Sequence, residues 1–208
     1  MSDFRYYRPS NFPPVVKYLI IVNVVVFAAQ YLLDSRLDIT THFALWPIGS
    51  PPFRAYQIFT HMFTHGGLWH ILFNMYALWM FGRILEGVWS AKRFLNFYLI
   101  CGIGAAAAHL AVQYYTGGFA PVVGASGAIM GLLAAFGYLF PNTELYILFI
   151  PFPIKAKWAV IGYIAIDLFG GFANFSGDNI AHFAHLGGAL TGFLLVLLWN
   201  KNNRRRFY

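Results

Sequence analysis

Six stretches of this chain stay apolar, five of them over lengths close to the thickness of a bilayer's hydrocarbon core, and few charges interrupt them. They lie at about 15–33, 67–87, 93–114, 126–140, 155–173 and 180–199. A helix rises 1.5 Å per residue, so a core of about 30 Å takes about 20 apolar residues. Only 10% of the 208 residues are charged, against roughly 25% in a soluble domain. Lipid must therefore solvate most of the surface. The fold class expected is all-α: a polytopic membrane protein of six transmembrane helices. Residues 1–14 read as a cytoplasmic N-terminal segment, 15–199 as the membrane domain and 200–208 as a basic cytoplasmic tail. The opening "MSDFRYYRPSNFPP" lacks the apolar core of a cleavable signal peptide. The single cysteine, Cys101, excludes an internal disulfide and a cysteine-based zinc site.

Basic residues orient the bundle. Arg5, Arg8 and Lys17 stand at the first span, and Arg83, Lys92 and Arg93 between the second and third. Lys155 and Lys157 stand between the fourth and fifth, and Lys201, Arg204, Arg205 and Arg206 after the sixth. Only Arg36 and Arg54 fall on the other side. Twelve of fourteen Lys and Arg on one side place both termini in the cytoplasm. The net charge of +7 then records topology, and no nucleic-acid partner is expected. The compact form, without extra domains, points to a bacterial plasma membrane.

Polar groups inside lipid are costly and face the bundle interior. Here they are His70 and Asn74 in span two, Ser126 at the start of span four, Asp167 in span five, and His182 and His185 in span six. With Pro141 ending span four, Ser126 lies about 21 Å along the axis from that end, or about 9 Å below the opposite surface. Counting six residues inward from Asn179 places His185 at about 9 Å as well. Span four is too short to cross, so 115–125 must dip inward as irregular backbone, which only protein or water can satisfy. A water-filled cavity with Ser126 at its floor is the expectation.

Glycines allow the contact. Gly127 and Gly131 on span four, and Gly188 and Gly192 on span six, are small residues at i and i+4 that let backbones approach closely. Packing the two ridges brings the Ser126 hydroxyl to the His185 imidazole, the minimum for a base-activated nucleophile. Donors for a developing oxyanion would be His70 and Asn74, which share a helix face, and the backbone N–H groups at the start of span four, including that of Ser126. Taken singly, each feature has a plainer reading: Ser126 as a helix cap, the glycines as packing, His70 as a pin for a loop. Their coincidence at one depth favours a site. His182 and His185, at i and i+3, offer two metal ligands, but the sequence presents no clear third carboxylate or thiol, so no metal is expected.

The assembled motifs resemble the rhomboid family of intramembrane serine proteases. "GASG" at 124–127 is similar to its GxSG motif, beginning at Gly124, and "HILFN" at 70–74 to its HxxxN motif. "AHLGGALTG" at 184–192 is similar to its final-helix pattern AHxxGxxxG. The resemblance covers about 15–199. It implies a six-helix core, a Ser126–His185 dyad with Ser126 as nucleophile and His185 as base, and an oxyanion site at His70 and Asn74. It also implies cleavage of transmembrane protein substrates near the outer membrane face, with no cofactor. Two positions depart from the family pattern. Tyr56-Gln57 stands where relatives often carry Trp-Arg, and Met130 where some carry a Tyr stacked on the histidine.

Since the family runs on a dyad, neither Asp167 nor Asp178 is assigned a role, and Asp167→Asn is expected to keep substantial activity. Glu86 reads as an ion pair with Arg83 and Arg93. A non-enzymatic binder of membrane segments is the rival class, and it would lack the serine or the histidine. A transporter would show repeats or paired broken helices. Substrate and oligomeric state have no signature in the sequence.

Overall fold

The computed structural model describes residues 12–146, 151–173 and 179–203. Asp178, most of the 1–14 segment and the end of the basic tail lie outside the described residues. Among the described residues six helices have fourteen residues or more. They are α1 (Pro14–Leu37), α4 (Leu68–Trp89), α5 (Ala91–Thr116), α6 (Ser126–Leu139), α7 (Ala156–Ala173) and α8 (Asn179–Asn203), and each coincides with one of the apolar runs. Three segments, Pro14–Leu37, Ala91–Thr116 and His182–Asn200, are long and apolar enough to cross a membrane by length and composition. Short helices α2 (Ile39–Phe43) and α3 (Gln57–Thr60) and one 3-10 turn (His61–Phe63) lie in the α1–α4 connection. The sequence gives no hint of a small antiparallel hairpin, β1 (Glu144–Leu145) and β2 (Ile154–Lys155), between α6 and α7. The remaining surface suits lipid: Val25, Tyr31 and Leu32 on α1 are exposed, as are Ile166 and Phe169 on α7.

Proline begins α1, its fixed φ suiting a first helical position. The residue before it, Pro13, makes no side-chain cap. Glu86 caps the helix from α4 instead. Its buried carboxylate accepts the Val15 N–H at 3.0 Å and the Val16 N–H at 2.9 Å. A negative group at a helix N-terminus satisfies orphan donors and complements the dipole. Among the described residues the expected ion pair is not seen: the Arg83 guanidinium lies 4.4 Å from the Trp79 ring centroid and that of Arg93 4.4 Å from Trp199.

The central element is α6, short and largely buried, packed on α4, α5, α7 and α8. Its glycine ridge meets α8 as the spacing predicted. A Cβ at Gly192 would lie 2.5 Å from the Gly131 Cα, and one at Gly188 would collide with the Gly127 carbonyl oxygen. The same two α6 glycines also abut α5 at Ala105 and Cys101. A larger side chain at Gly188 would push α8 away, carrying His185 with it.

The α1–α4 connection is held by side-chain amides. Gln57, fully buried, accepts the Arg54 N–H at 3.1 Å and donates to the carbonyls of His42 and Pro52, each at 3.0 Å. Gln30 of α1 accepts the His65 N–H at 3.0 Å and donates to Thr40 Oγ1 at 2.8 Å. Gln57 therefore anchors the loop. The loop in turn satisfies the irregular segment before α6. Leu45 and Val122 exchange two backbone hydrogen bonds of 3.0 Å, and the Gly124 N–H donates to His61 O at 2.9 Å. Protein groups thus satisfy part of the backbone of that irregular segment.

Two histidines of this connection are buried without a carboxylate. Burial, assisted by neighbouring His109, lowers the His61 pKa to about 4, and burial with neighbouring His70 lowers that of His65 to about 4. Both bases are neutral in the closed loop and take up a proton when it opens. Their contribution is intact above the ordinary histidine pKa of about 6.5 and is lost as pH falls from there towards about 4. At pH 5.5 each should favour the open loop about tenfold relative to pH 8. Amide exchange over 57–66, corrected for intrinsic rates, should accelerate on acidification. His61→Gln should remove part of that dependence.

Candidate active site

Ser126 is the first residue of α6, and the first intrahelical bond there runs from the Ile129 N–H to Ala125 O at 3.0 Å. The N–H groups of Ser126, Gly127 and Ala128 precede it and are the orphan donors of the helix end. Gly124, two residues earlier, has φ +120°, a conformation L side chains rarely adopt. It also makes room: a Cβ there would lie 2.8 Å from both Cε1 and Nε2 of His70. The glycines of "GASG" thus have separate tasks. Gly124 admits the His70 ring beside the serine, and Gly127 admits α5 and α8.

His185 Nε2 lies 2.8 Å from Ser126 Oγ, 59 residues apart in sequence. On the other side of the same ring, His185 Nδ1 lies 3.2 Å from Asp167 Oδ1. Serine, imidazole and buried carboxylate form one row across α6, α8 and α7. A carboxylate on Nδ1 keeps the ring proton there and leaves Nε2 as the acceptor facing the hydroxyl. Sequence reasoning left Asp167 without a role, and the geometry brings it into the site. Its only signal was a lone acid in an apolar run. Asp167 Oδ1 also lies 2.8 Å from His182 Nδ1. So the third potential metal ligand that the sequence did not present is there, and the three ligating atoms lie within 4.8 Å of one another.

His70 and Asn74 sit on α4, facing the same space. The Gly66 N–H donates to His70 Nδ1 at 3.3 Å. A neutral ring accepting at Nδ1 carries its proton on Nε2, the nitrogen beside Gly124. The Asn74 side chain donates to His70 O at 2.8 Å, which uses one of its two N–H groups. Both residues line a cavity of about 530 Å³ that also reaches Ser126 and His185. Its other walls are mostly apolar, with Phe73 and Met80 of α4, Leu133 of α6 and Val160 of α7 among them. The space over Ser126 is a mostly apolar groove between α4 and α7, running to Leu145 and Tyr146 of the hairpin region. Met130 also lines it and packs with Ala134 and Ala189.

Fold and site together define a polytopic helical membrane protein with a hydroxyl–imidazole–carboxylate row inside its bundle. The sequence model of the Rhomboid domain matches residues 52–202, and the chain belongs to the rhomboid family. It is 32% identical over 187 residues to the human "Presenilin-associated rhomboid-like protein, mitochondrial", covering 87% of this chain and 48% of that one. It is 33% identical over 215 residues to "Rhomboid protein 1, mitochondrial" of Saccharomyces cerevisiae, covering 93% and 55%. It is 34% identical over 139 residues to "Rhomboid protease GluP" of Bacillus subtilis, covering 66% and 25%. The chain thus spans about half, or less, of the length of these relatives. Two of the three are mitochondrial, so the assignment to a bacterial plasma membrane finds no support in them.

Proposed function

We propose that this chain is an intramembrane serine endopeptidase that cleaves transmembrane protein segments. The observation that carries the reading is the 2.8 Å contact between Ser126 Oγ and His185 Nε2 within the bundle of a rhomboid-family chain. Ser126 Oγ attacks the scissile carbonyl and His185 Nε2 takes its proton. Asp167 holds the resulting imidazolium by its Nδ1–H. The carbonyl oxygen becomes an oxyanion, met by the Ser126 N–H, His70 Nε2–H and the second N–H of Asn74. On collapse the C–N bond breaks, and His185 returns the proton to the leaving amine. Water, activated by the same ring, then frees the acyl group from Ser126. The apolar groove between α4 and α7 suits a substrate that arrives from lipid. A serine-directed fluorophosphonate should label the purified protein at Ser126 alone. Absence of labelling in folded protein would sink the reading.

The oxyanion donors can be separated from packing. Asn74→Ala and His70→Ala should each lower kcat roughly tenfold or more with KM little changed, because the bonds strengthen only as charge develops. Asn74 has one N–H committed to His70 O, so the smaller loss is expected there. The pair should be non-additive. A folded double mutant with normal kcat would remove both from the site.

The side of cleavage follows from the basic residues. Both termini are proposed to face the side carrying most Lys and Arg, with Ser126 nearer the opposite face. Thr116→Cys should react with an impermeant thiol reagent added on the outer side, and Asn202→Cys should not. The reverse pattern would invert the topology.

A further inference from the structure

We propose that Asp167, His182 and His185 form a binding site for Zn²⁺, and that zinc bound there holds the hydrolase off. His182 and His185 both present Nδ1 to Asp167 Oδ1, at 2.8 and 3.2 Å, and the three ligating atoms lie within 4.8 Å of one another. In a tetrahedral shell with bonds of about 2.1 Å, neighbouring ligand atoms are about 3.4 Å apart. To reach that spacing the two imidazoles withdraw from the carboxylate by about 0.6 and 0.2 Å, and the widest pair of ligating atoms, within 4.8 Å, closes by up to about 1.4 Å, a movement on the scale of side-chain rotation. Two imidazoles and a carboxylate suit zinc better than magnesium or calcium, which prefer all-oxygen shells.

A second observation points the same way. Asp167 is buried, yet Oδ1 takes both imidazoles while Oδ2 has no hydrogen-bond partner among the described residues. A buried carboxylate oxygen without a donor is costly. A divalent ion answers it, since either oxygen, or both, can turn to the metal. The His182 and His185 side chains keep 29% and 22% of their surface exposed, so the cluster is reachable without unfolding. Gly170 fixes the approach of α7 to α8, since a Cβ there would lie 2.7 Å from His182 Nε2.

The consequence rests on the hydrolase reading and follows from the proton on one ring. Without metal, Asp167 keeps the His185 proton on Nδ1, and Nε2 accepts from Ser126. Zinc takes the Nδ1 lone pair, so the neutral ring must carry its proton on Nε2. Nε2 then has no lone pair for the serine proton. No proton leaves the ring; it changes nitrogen. Zinc also occupies the carboxylate that would stabilise the imidazolium. One ion therefore removes both conditions for base catalysis without touching Ser126.

Binding and inhibition are read separately. Equilibrium dialysis of the Ser126→Ala chain with Zn²⁺ alone should give one ion per chain. Adding His182→Gln, which keeps volume and a hydrogen bond to Asp167 but removes a ligand, should weaken retention at least tenfold. Asp167→Asn in the same background should do so too, as a second variant if either folds poorly. In the wild-type chain, saturating Zn²⁺ should slow fluorophosphonate labelling at least tenfold, and a chelator should restore it. Labelling of His182→Gln, normalised to its own zinc-free rate, should not respond. Sub-stoichiometric binding, or binding unchanged in both variants, overturns the site. Stoichiometric binding without slowed labelling overturns the inhibition. A chain that binds one zinc and never labels, with or without chelator, keeps the site and sinks the hydrolase reading.

Discussion

Ser126→Ala is expected to reduce cleavage of a transmembrane reporter to background, a fall of about 10⁴-fold or more in kcat, while the protein stays folded. His185→Ala is expected to do the same. Each removes one end of the 2.8 Å contact on which proton transfer depends. The structural cost is small by comparison. Losing one intramolecular hydrogen bond costs about 1 kcal/mol, and the packing of α6 on α8 rests on glycines that neither change touches. The double mutant should be no worse than either single one, because residues acting as a unit are grossly non-additive. Thermal unfolding in detergent should shift only slightly for Ser126→Ala, which separates lost chemistry from lost fold. Measurable turnover by a clean Ser126→Ala preparation would end the protease reading.

That the Ser126–His185 contact was legible in the sequence, and the contacts of Asp167 were not, has a physical explanation. Depth along a helix can be counted from one end, so two residues on different spans can be placed at one level. Glycine ridges fix rotation as well, since Gly127 and Gly188 can approach only on one face. Near Asp167 the phase of α7 against α8 is marked only by Gly170, with no second small residue four positions away to make a ridge. The spacings of 15 and 18 residues from Asp167 to the two histidines say nothing about which way it points. Glu86 was misread for a related reason. Arg83 and Arg93 stand near it in sequence, but its partners are the N–H groups of α1, some 70 positions away. Backbone donors at a helix end carry no sequence label. Gln57 makes the same point in a loop: its partners are backbone N–H and carbonyl groups whose positions exist only once the connection has folded. The two-residue strands of the hairpin are too short to show any period.

Asp167→Asn is the change whose expected outcome the structure reverses. Read from sequence it should be mild, because the family pattern needs no acid. With Asp167 Oδ1 at 3.2 Å from His185 Nδ1, it should lower kcat by about 10- to 10³-fold, with KM little altered. An asparagine there can present its N–H groups to the rings. A ring that accepts at Nδ1 carries its proton on Nε2, where it cannot serve Ser126. In a soluble serine protease the corresponding change costs about 10⁴ for that reason. A smaller loss is expected here because Asp167 is shared with His182, which can take up part of the amide's attention. Asp167→Ala distinguishes this account from simple loss of a buried hydrogen bond. If Asp167 only packs, the isosteric Asn should be milder than Ala, which leaves a gap. If it sets the proton on His185, Asn should be as damaging as Ala or worse, since Ala leaves the ring free to choose its tautomer. Asp167→Glu should recover part of the rate. His182→Ala, by leaving the carboxylate to His185 alone, should not lower kcat. A folded Asp167→Asn enzyme within twofold of wild type would return Asp167 to a structural role and leave Ser126 and His185 to act as a dyad.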